Sequence, residues 1–321
     1  MTMASDHAAT QCRVAFVGAG FMTREHAKAF TAVPGVELAG LYSRGREQAL
    51  QAAAALGIAR VCDSVADLYE KCRPDLVVVS VPELEMNGVA RACLAHPWSI
   101  LLEKPAGYDV ADAQSIIDAA GERASEVMVG LNRRWYGATR AALADLAGNP
   151  GPRYIRVQDQ QDQAAALLAG QPAKVVANWM YANSIHVIDY FSLFARGEVV
   201  AGEPVVRWIP SQPGVVVSKL VFSSGDVGLY EGVWNGPGPW AVTISTPQKR
   251  WELRPLEQAA FQEAGSRRLV PIDADPRDTA YKAGLHVQAA HAVAAATGGP
   301  RVLPSLCDAM RSMQIVERIF A

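Results

Sequence analysis

Short apolar runs and longer polar, helix-forming stretches alternate through the first third of the chain. Residues 12–17, 36–42, 60–63, 74–81, 99–105 and 126–131 read as strands. Residues 23–32, 47–56, 86–95 and 110–123 read as helices, with Ser64 and Asp67 opening one more by N-capping. The run 74–81 holds the unbroken β-branched stretch Val77-Val78-Val79, as in a central parallel strand covered on both faces. Strand–helix alternation of this kind predicts right-handed βαβ units and a doubly wound parallel sheet. After a helix at 138–146 and the breaker Gly148-Asn149-Pro150-Gly151-Pro152 the pattern changes. Residues 154–160, 205–210, 215–223, 227–233, 240–246 and 250–255 follow as closely spaced strands. Hairpin-like spacers separate some of them, Ser224-Gly225-Asp226 and the segment from Asn235 to Pro239, and predict antiparallel sheet. A helix at 183–194 interrupts them, and helices at 281–297 and 304–320 close the chain. The fold class expected is α/β: a doubly wound parallel sheet, then an α+β domain with an open, mainly antiparallel sheet, with the boundary near residue 130. Residues 11–130 form the first domain, residues 131–321 the second, and the polar residues 1–10 a disordered leader.

At 321 residues the chain suits two domains of roughly 150 residues. Half the residues are hydrophobic and 19% are charged, which predicts a folded protein. A net charge of −2 argues against a nucleic-acid partner. The five scattered cysteines lack C-x-x-C spacing and read as reduced thiols of a cytoplasmic protein. No apolar run has the length of a membrane span, and residues 1–10 lack the apolar segment of a signal peptide. The histidines and cysteines form no zinc motif, so no metal is expected. A G-x-S-x-G elbow and a P-loop are also missing.

Gly18-Ala19-Gly20 follows a strand and opens a helix, where main-chain N–H groups meet a dinucleotide's pyrophosphate. Thr23 stands where the fingerprint has a third glycine. An acid at the tip of the second strand would select NAD by binding the ribose 2′-OH; the tip here is Tyr42-Ser43-Arg44, with Arg46 nearby. A hydroxyl and a guanidinium suit a 2′-phosphate, which favours NADP(H) with NAD(H) as the alternative; solvated loop arginines are the plainer reading. Gly18, Gly20, Phe21, Met22, Ser43, Arg44, Pro82, Glu103 and Lys104 are the candidate cofactor residues.

Glu103-Lys104-Pro105 ends a parallel strand, on the side where such sheets bind ligands. A desolvated lysine there can exchange a proton with a substrate oxygen; a strand-end ion pair is the alternative. Pro105 suggests a rigid turn, with a cis bond open.

Together, Gly18-Ala19-Gly20, Glu103-Lys104-Pro105, the segment from Val129 to Trp135 and Asn183-Ser184-Ile185-His186-Val187-Ile188-Asp189 resemble the Gfo/Idh/MocA family, named for glucose–fructose oxidoreductase and inositol dehydrogenase. The resemblance covers nearly the whole chain. It implies a Rossmann domain, a second domain whose sheet builds homodimers or homotetramers, and hydride transfer between NAD(P) and a sugar, sugar nucleotide or polyol. It also places Lys104 and His186 at the active site. Many members carry an aspartate four residues before this histidine, and Ala182 stands there. Three readings follow: Lys104 and His186 suffice, with Asn183 or Tyr181 assisting; Asn183 binds substrate in a subgroup; or catalysis is lost and the protein is a non-catalytic NAD(P)-binding sensor.

On a helix Asn183 and His186 would share a face, and an imidazole there can serve as proton relay. Lys104, Arg133, Asn183 and His186 are the candidate substrate residues. Asp189 is expected to support the helix or pair with an arginine. Arg133 or Arg134 binds an anionic group, or makes an interdomain salt bridge. Trp179, Trp234 and Trp240 offer flat faces to a sugar, or pack the sheet.

Overall fold

The computed structural model of the protein describes residues 11–321; the expected leader, residues 1–10, lies outside the described residues. The first sheet is parallel, with strands β1 (Cys12–Val17), β2 (Val36–Tyr42), β3 (Val61–Cys62), β4 (Leu76–Val79), β5 (Ser99–Glu103) and β6 (Met128–Gly130) in the order β3-β2-β1-β4-β5-β6. Their apolar runs are buried on both sides, β4 along its whole length, because helices cover both faces. The intervening helices are α1 (Phe21–Thr31), α2 (Arg46–Leu56), α3 (Val65–Cys72), α4 (Glu83–Leu94) and α5 (Val110–Ala120). As the sequence predicts, Ser64 caps α3 by accepting the Asp67 N–H, and Asp109 caps α5 in the same way.

Helix α6 (Gly137–Leu146) leads to a second sheet made of β7 (Tyr154–Gln161), β8 (Val199–Val206), β9 (Val215–Phe222), β10 (Val227–Trp234), β11 (Ala241–Ser245), β12 (Lys249–Leu253), β13 (Ala259–Glu263) and β14 (Val270–Pro271). The order is β14-β13-β12-β11-β7-β10-β9-β8, antiparallel except where β7 runs parallel to β10. Ser224-Gly225-Asp226 does turn the β9–β10 hairpin. The segment from Asn235 to Pro239 is not a hairpin: β7 inserts between β10 and β11 and takes the hydrogen bonds of both. The expected strand at 205–210 lies earlier, because β8 runs through Gly202 and Pro204 at an edge that tolerates both.

Between β7 and β8 lie α7 (Gln163–Leu168), α8 (Ala173–Ala177), a π-helical turn at Met180–Ser184, and α9 (Ile185–Phe194), which packs its apolar faces on the second sheet. After β14 come α10 (Pro276–Ala280), α11 (Leu285–Ala296) and α12 (Leu306–Phe320). Helix α11 returns to the first sheet, where Leu285, Ala289 and Ala292 share a core with Phe16, Phe30 and Val78. Residues 304–306 run beside β6: Val129 N–H donates to the Pro304 carbonyl and Leu306 N–H to that of Val127. A chain that crosses to the second domain at Leu131 therefore crosses back before it ends. Among the described residues no helix is long and apolar enough to span a membrane.

Candidate active site

The glycine loop is shaped by one close approach. Gly18 has φ +116°, and a Cβ there would lie 2.2 Å from the Ser80 carbonyl oxygen. Thr23, in place of the third glycine, is fully buried, and its hydroxyl meets that of Ser80 at 2.8 Å. Helix and strand are thus joined by a hydrogen bond where a glycine would allow bare contact. Gly20 begins α1 with no side-chain cap and no acid in the first turn, and nothing stands within 4 Å of where its Cβ would be. The first-turn N–H groups therefore face open space, as an anion requires.

In front of them is a cavity of about 500 Å³ lined by Gly18, Gly20, Ser43, Arg44, Ser80, Pro82 and Glu85 among others. Arg44 Nη1 lies 3.0 Å from Glu85 Oε1 at the exposed rim, whereas Arg46 turns away to pair with Asp63. Phe21 and Met22 do not line this cavity: Phe21 is exposed beneath the Lys282 ammonium, and Met22 packs on the core. The uncapped helix, the glycine cradle and the cavity fit a dinucleotide.

Glu103 is buried and committed within the protein. Its Oε1 lies 2.6 Å from His26 Nε2 on α1, and Oε2 accepts the Lys104 N–H at 3.1 Å. The strut ties the glycine-loop helix to the Glu-Lys-Pro turn, whose Lys104–Pro105 bond is cis. From that turn Lys104 crosses to the second domain and donates from Nζ to the Ala182 carbonyl at 2.8 Å. The main chain at the position lacking the aspartate thus holds the lysine. Burial lowers the Lys104 pKa, Glu103 and Glu83 oppose the shift, and Arg133 and Lys282 add to it.

The turn at Met180–Ser184 is wider than an α-helix, and such turns recur at functional sites. It rotates Asn183 out of simple register with His186. Asn183 Nδ2 donates to Gln161 Oε1 at 2.8 Å, Gln161 Nε2 to Asp159 Oδ1 at 2.6 Å, and the Tyr230 hydroxyl to Asp159 Oδ2 at 2.8 Å. Asp159, Gln161, Tyr230 and Ser184 are all buried. Burial pushes Asp159 up to about 6, although hydrogen bonding from its neighbours and the charge of Arg133 pull it down. This network was not among the sequence-derived candidates. Its signal is in β7, whose inward positions run Ile155, Val157, Asp159, Gln161: two polar residues where alternation asks for apolar ones.

His186 lies half-buried, 6.2 Å from the Trp240 ring, and no protein group among the described residues hydrogen-bonds its imidazole. Burial, then Lys104, Arg133 and Lys282, hold its pKa well below the usual value, so the ring is neutral at pH 7. The two arginines divide the roles considered for them. Arg134 forms a bidentate pair with Asp189 at 2.8 and 2.6 Å, reinforced by Ser312. Arg133 stacks on Trp240 with its Cζ 4.2 Å from the ring centroid. Trp179, Trp240 and Asn183 line a second cavity of about 380 Å³, whereas Trp234 is buried against Trp208 and Phe320. Burial keeps Tyr181 protonated, up to about 12, and its charged neighbours are Glu317 and Asp109, not Lys104 or His186.

Residues 12–131 match the model of the Gfo/Idh/MocA oxidoreductase family, described as having an NAD-binding Rossmann fold. Over those residues the chain is similar to the Gfo/Idh/MocA oxidoreductases. Relatives over part of the chain are named dehydrogenases. UDP-N-acetylglucosamine 3-dehydrogenase of Acidithiobacillus ferrooxidans is 29% identical over 216 residues, 67% of this chain and 64% of that protein. Its solved structure covers 96% of both chains with a TM-score of 0.78 at 21% identity. 4-Carboxy-2-hydroxymuconate-6-semialdehyde dehydrogenase of a Sphingobium species is 23% identical over 232 residues, 71% of this chain and 73% of that protein. A levoglucosan dehydrogenase solved with NADH and levoglucosan superposes with a TM-score of 0.80 at 19% identity, over 97% of this chain and 96% of that one. The two structural matches show that both domains, and not the first alone, share this fold.

Proposed function

We propose that the protein is an NADP(H)-preferring dehydrogenase that interconverts a hydroxyl and a carbonyl on a sugar, sugar nucleotide or polyol. The observation that carries this reading is the meeting of Lys104 with the turn that bears Asn183 and leads into His186. Gly18, Gly20 and the first turn of α1 hold the pyrophosphate, with Phe21 and Met22 shaping that turn, and Pro82 flanks the nicotinamide half. Ser43 and Arg44 take the 2′-phosphate; the exposed Arg44–Glu85 pair, worth about 1 kcal/mol or less, gives way to it. A nicotinamide bound there would supply the hydride chemistry at the substrate carbon.

The chain's own groups handle the proton. In oxidation the Lys104 amine, whose pKa is lowered, accepts the hydroxyl proton, and the neutral His186 ring relays it outward; in reduction the proton returns along the same path. Glu103 fixes the lysine's main chain through its own strut to His26. Asn183, held by Gln161, presents its remaining hydrogen-bonding capacity to substrate hydroxyls, and Arg133 and Trp240 complete the wall. Two relatives are named for sugar substrates, which supports the substrate class. Val200, Val205 and Val206 are exposed on the edge strand β8, which supports a homodimer or homotetramer formed through the second sheet.

The test is nicotinamide reduction by the purified protein over a panel of aldoses, sugar nucleotides and cyclitols, with each cofactor. Turnover with a lower KM for NADP+ than for NAD+ is expected. A clear NAD+ preference overturns the cofactor assignment, and silence over the whole panel overturns the substrate class.

A further inference from the structure

Three cations, Arg133, Lys282 and Lys104, lie near His186. Arg133 makes one hydrogen bond within the protein, from Nε to the Tyr136 hydroxyl at 3.4 Å, and its Nη1 is buried without an acceptor. Stacking on Trp240 fixes the guanidinium plane and leaves its edge free. Lys282 emerges beside it, because the Asn132 side chain binds the Ala283 carbonyl at 3.0 Å and Gly284 packs against the Asn132 carbonyl. Lys104 is the third cation, held by a carbonyl and not by a carboxylate. None of the three forms a salt bridge among the described residues.

Four of the nearby carboxylates are engaged elsewhere. Asp159 is used by Gln161 and Tyr230, Glu103 by His26 and a main-chain N–H, Asp189 by Arg134 and Ser312. Asp278 accepts the Gly137 and Gly284 N–H groups. Glu83 faces Lys104 from the first domain. A buried guanidinium nitrogen without an acceptor is destabilising, so the arrangement is stable when something anionic supplies the acceptor.

We propose that Arg133, assisted by Lys282 at the rim, binds a carboxylate of the substrate, so that the substrate is a carboxylated sugar such as a uronic or aldonic acid. The inference rests on the dehydrogenase reading above and narrows it. A planar guanidinium with one free edge matches a carboxylate's two oxygens.

The test compares matched pairs on the protein saturated with NADP+: D-glucuronate with D-glucose, and D-galacturonate with D-galactose. Both calorimetric affinity and turnover are measured. The acidic member of at least one pair is expected to bind roughly 10- to 100-fold more tightly, as a charged hydrogen-bonded pair provides. Arg133→Met keeps the stem on Trp240 and is expected to bring the acid-to-neutral ratio close to one with NADP+ affinity retained. Lys282→Met is expected to lower the ratio a few-fold and flatten its salt dependence. Neutral sugars binding as well as their acids, or an Arg133→Met ratio equal to the parent's, overturns the proposal. Tighter binding of glucose 6-phosphate than of glucuronate overturns the carboxylate assignment. Acid-selective binding without turnover leaves the anion site standing and sinks the dehydrogenation of these sugars instead.

Discussion

The cofactor cavity is made largely of main chain at strand ends, whereas the pocket around Lys104 is made of side chains that hold one another. At the first, Gly18 and Gly20 contribute by having no side chain, and the helix N-terminus presents N–H groups fixed by the fold. At the second, Asn183 depends on Gln161, Gln161 on Asp159, and Asp159 on Tyr230, four residues drawn from two strands and a π-helical turn. A main-chain site tolerates variation in its surroundings but not at its glycines. A side-chain site can be retuned one partner at a time, as at Ala182, where a carbonyl holds the lysine.

The sharpest way to separate the two regions is to break each alone. Lys104→Ala is expected to lower kcat by roughly a thousandfold, the scale of a lost proton-transfer group, while NADP+ titrated by fluorescence binds as before. Gly18→Ala is expected to do the reverse. Its Cβ meets the Ser80 carbonyl at a positive φ, strain of about 1–3 kcal/mol, so NADP+ affinity falls roughly 10- to 100-fold while the Asp159 network keeps its structure by NMR.

Two smaller changes test how the side-chain region is tuned. Ala182→Asp sets a carboxylate beside the Lys104 amine and favours its charged form. Oxidation needs the neutral amine, so the rise of kcat/KM with pH is expected to move to higher pH by about one unit. A profile that stays in place means that another group accepts the proton. Asp159 has a folded pKa of about 6, above the 3.8 usual for an aspartate. The buried carboxyl is therefore favourable while protonated, and that contribution is lost as pH rises through about 6. Asp159→Asn is expected to stabilise the protein by on the order of 2 kcal/mol at about pH 8, with the gain vanishing below about pH 4, read from denaturant midpoints. A gain independent of pH would mean that the carboxyl does not titrate there.

The same contrast explains what the sequence reveals. Strand and helix alternate along residues 12–131, so β1, β2 and β4 and the cap Ser64 follow from local pattern alone. The second sheet draws on pairings between distant segments. Nothing near Asn235 announces that β7 lies between β10 and β11, and the short helices α7 and α8 leave too brief a periodicity to read. Of the pocket, Lys104, Arg133, Asn183 and His186 stand out by type and motif. The commitment of Glu103 to His26 does not, because that pair is 77 residues apart. Spacing on an ideal helix also misplaces Asn183, since a π-helical turn has a different period.

The return of α11 to the first sheet bears on how the molecule is made. Leu285, Ala289 and Ala292 cover Phe16, Phe30 and Val78, and residues 304–306 line the outer edge of β6. A ribosome that has finished the glycine loop and all six parallel strands still holds a domain with one apolar flank uncovered and one edge unpaired. The first sheet is made before the second and covered after it, so chains interrupted before α11 would expose that flank to chaperones or to one another.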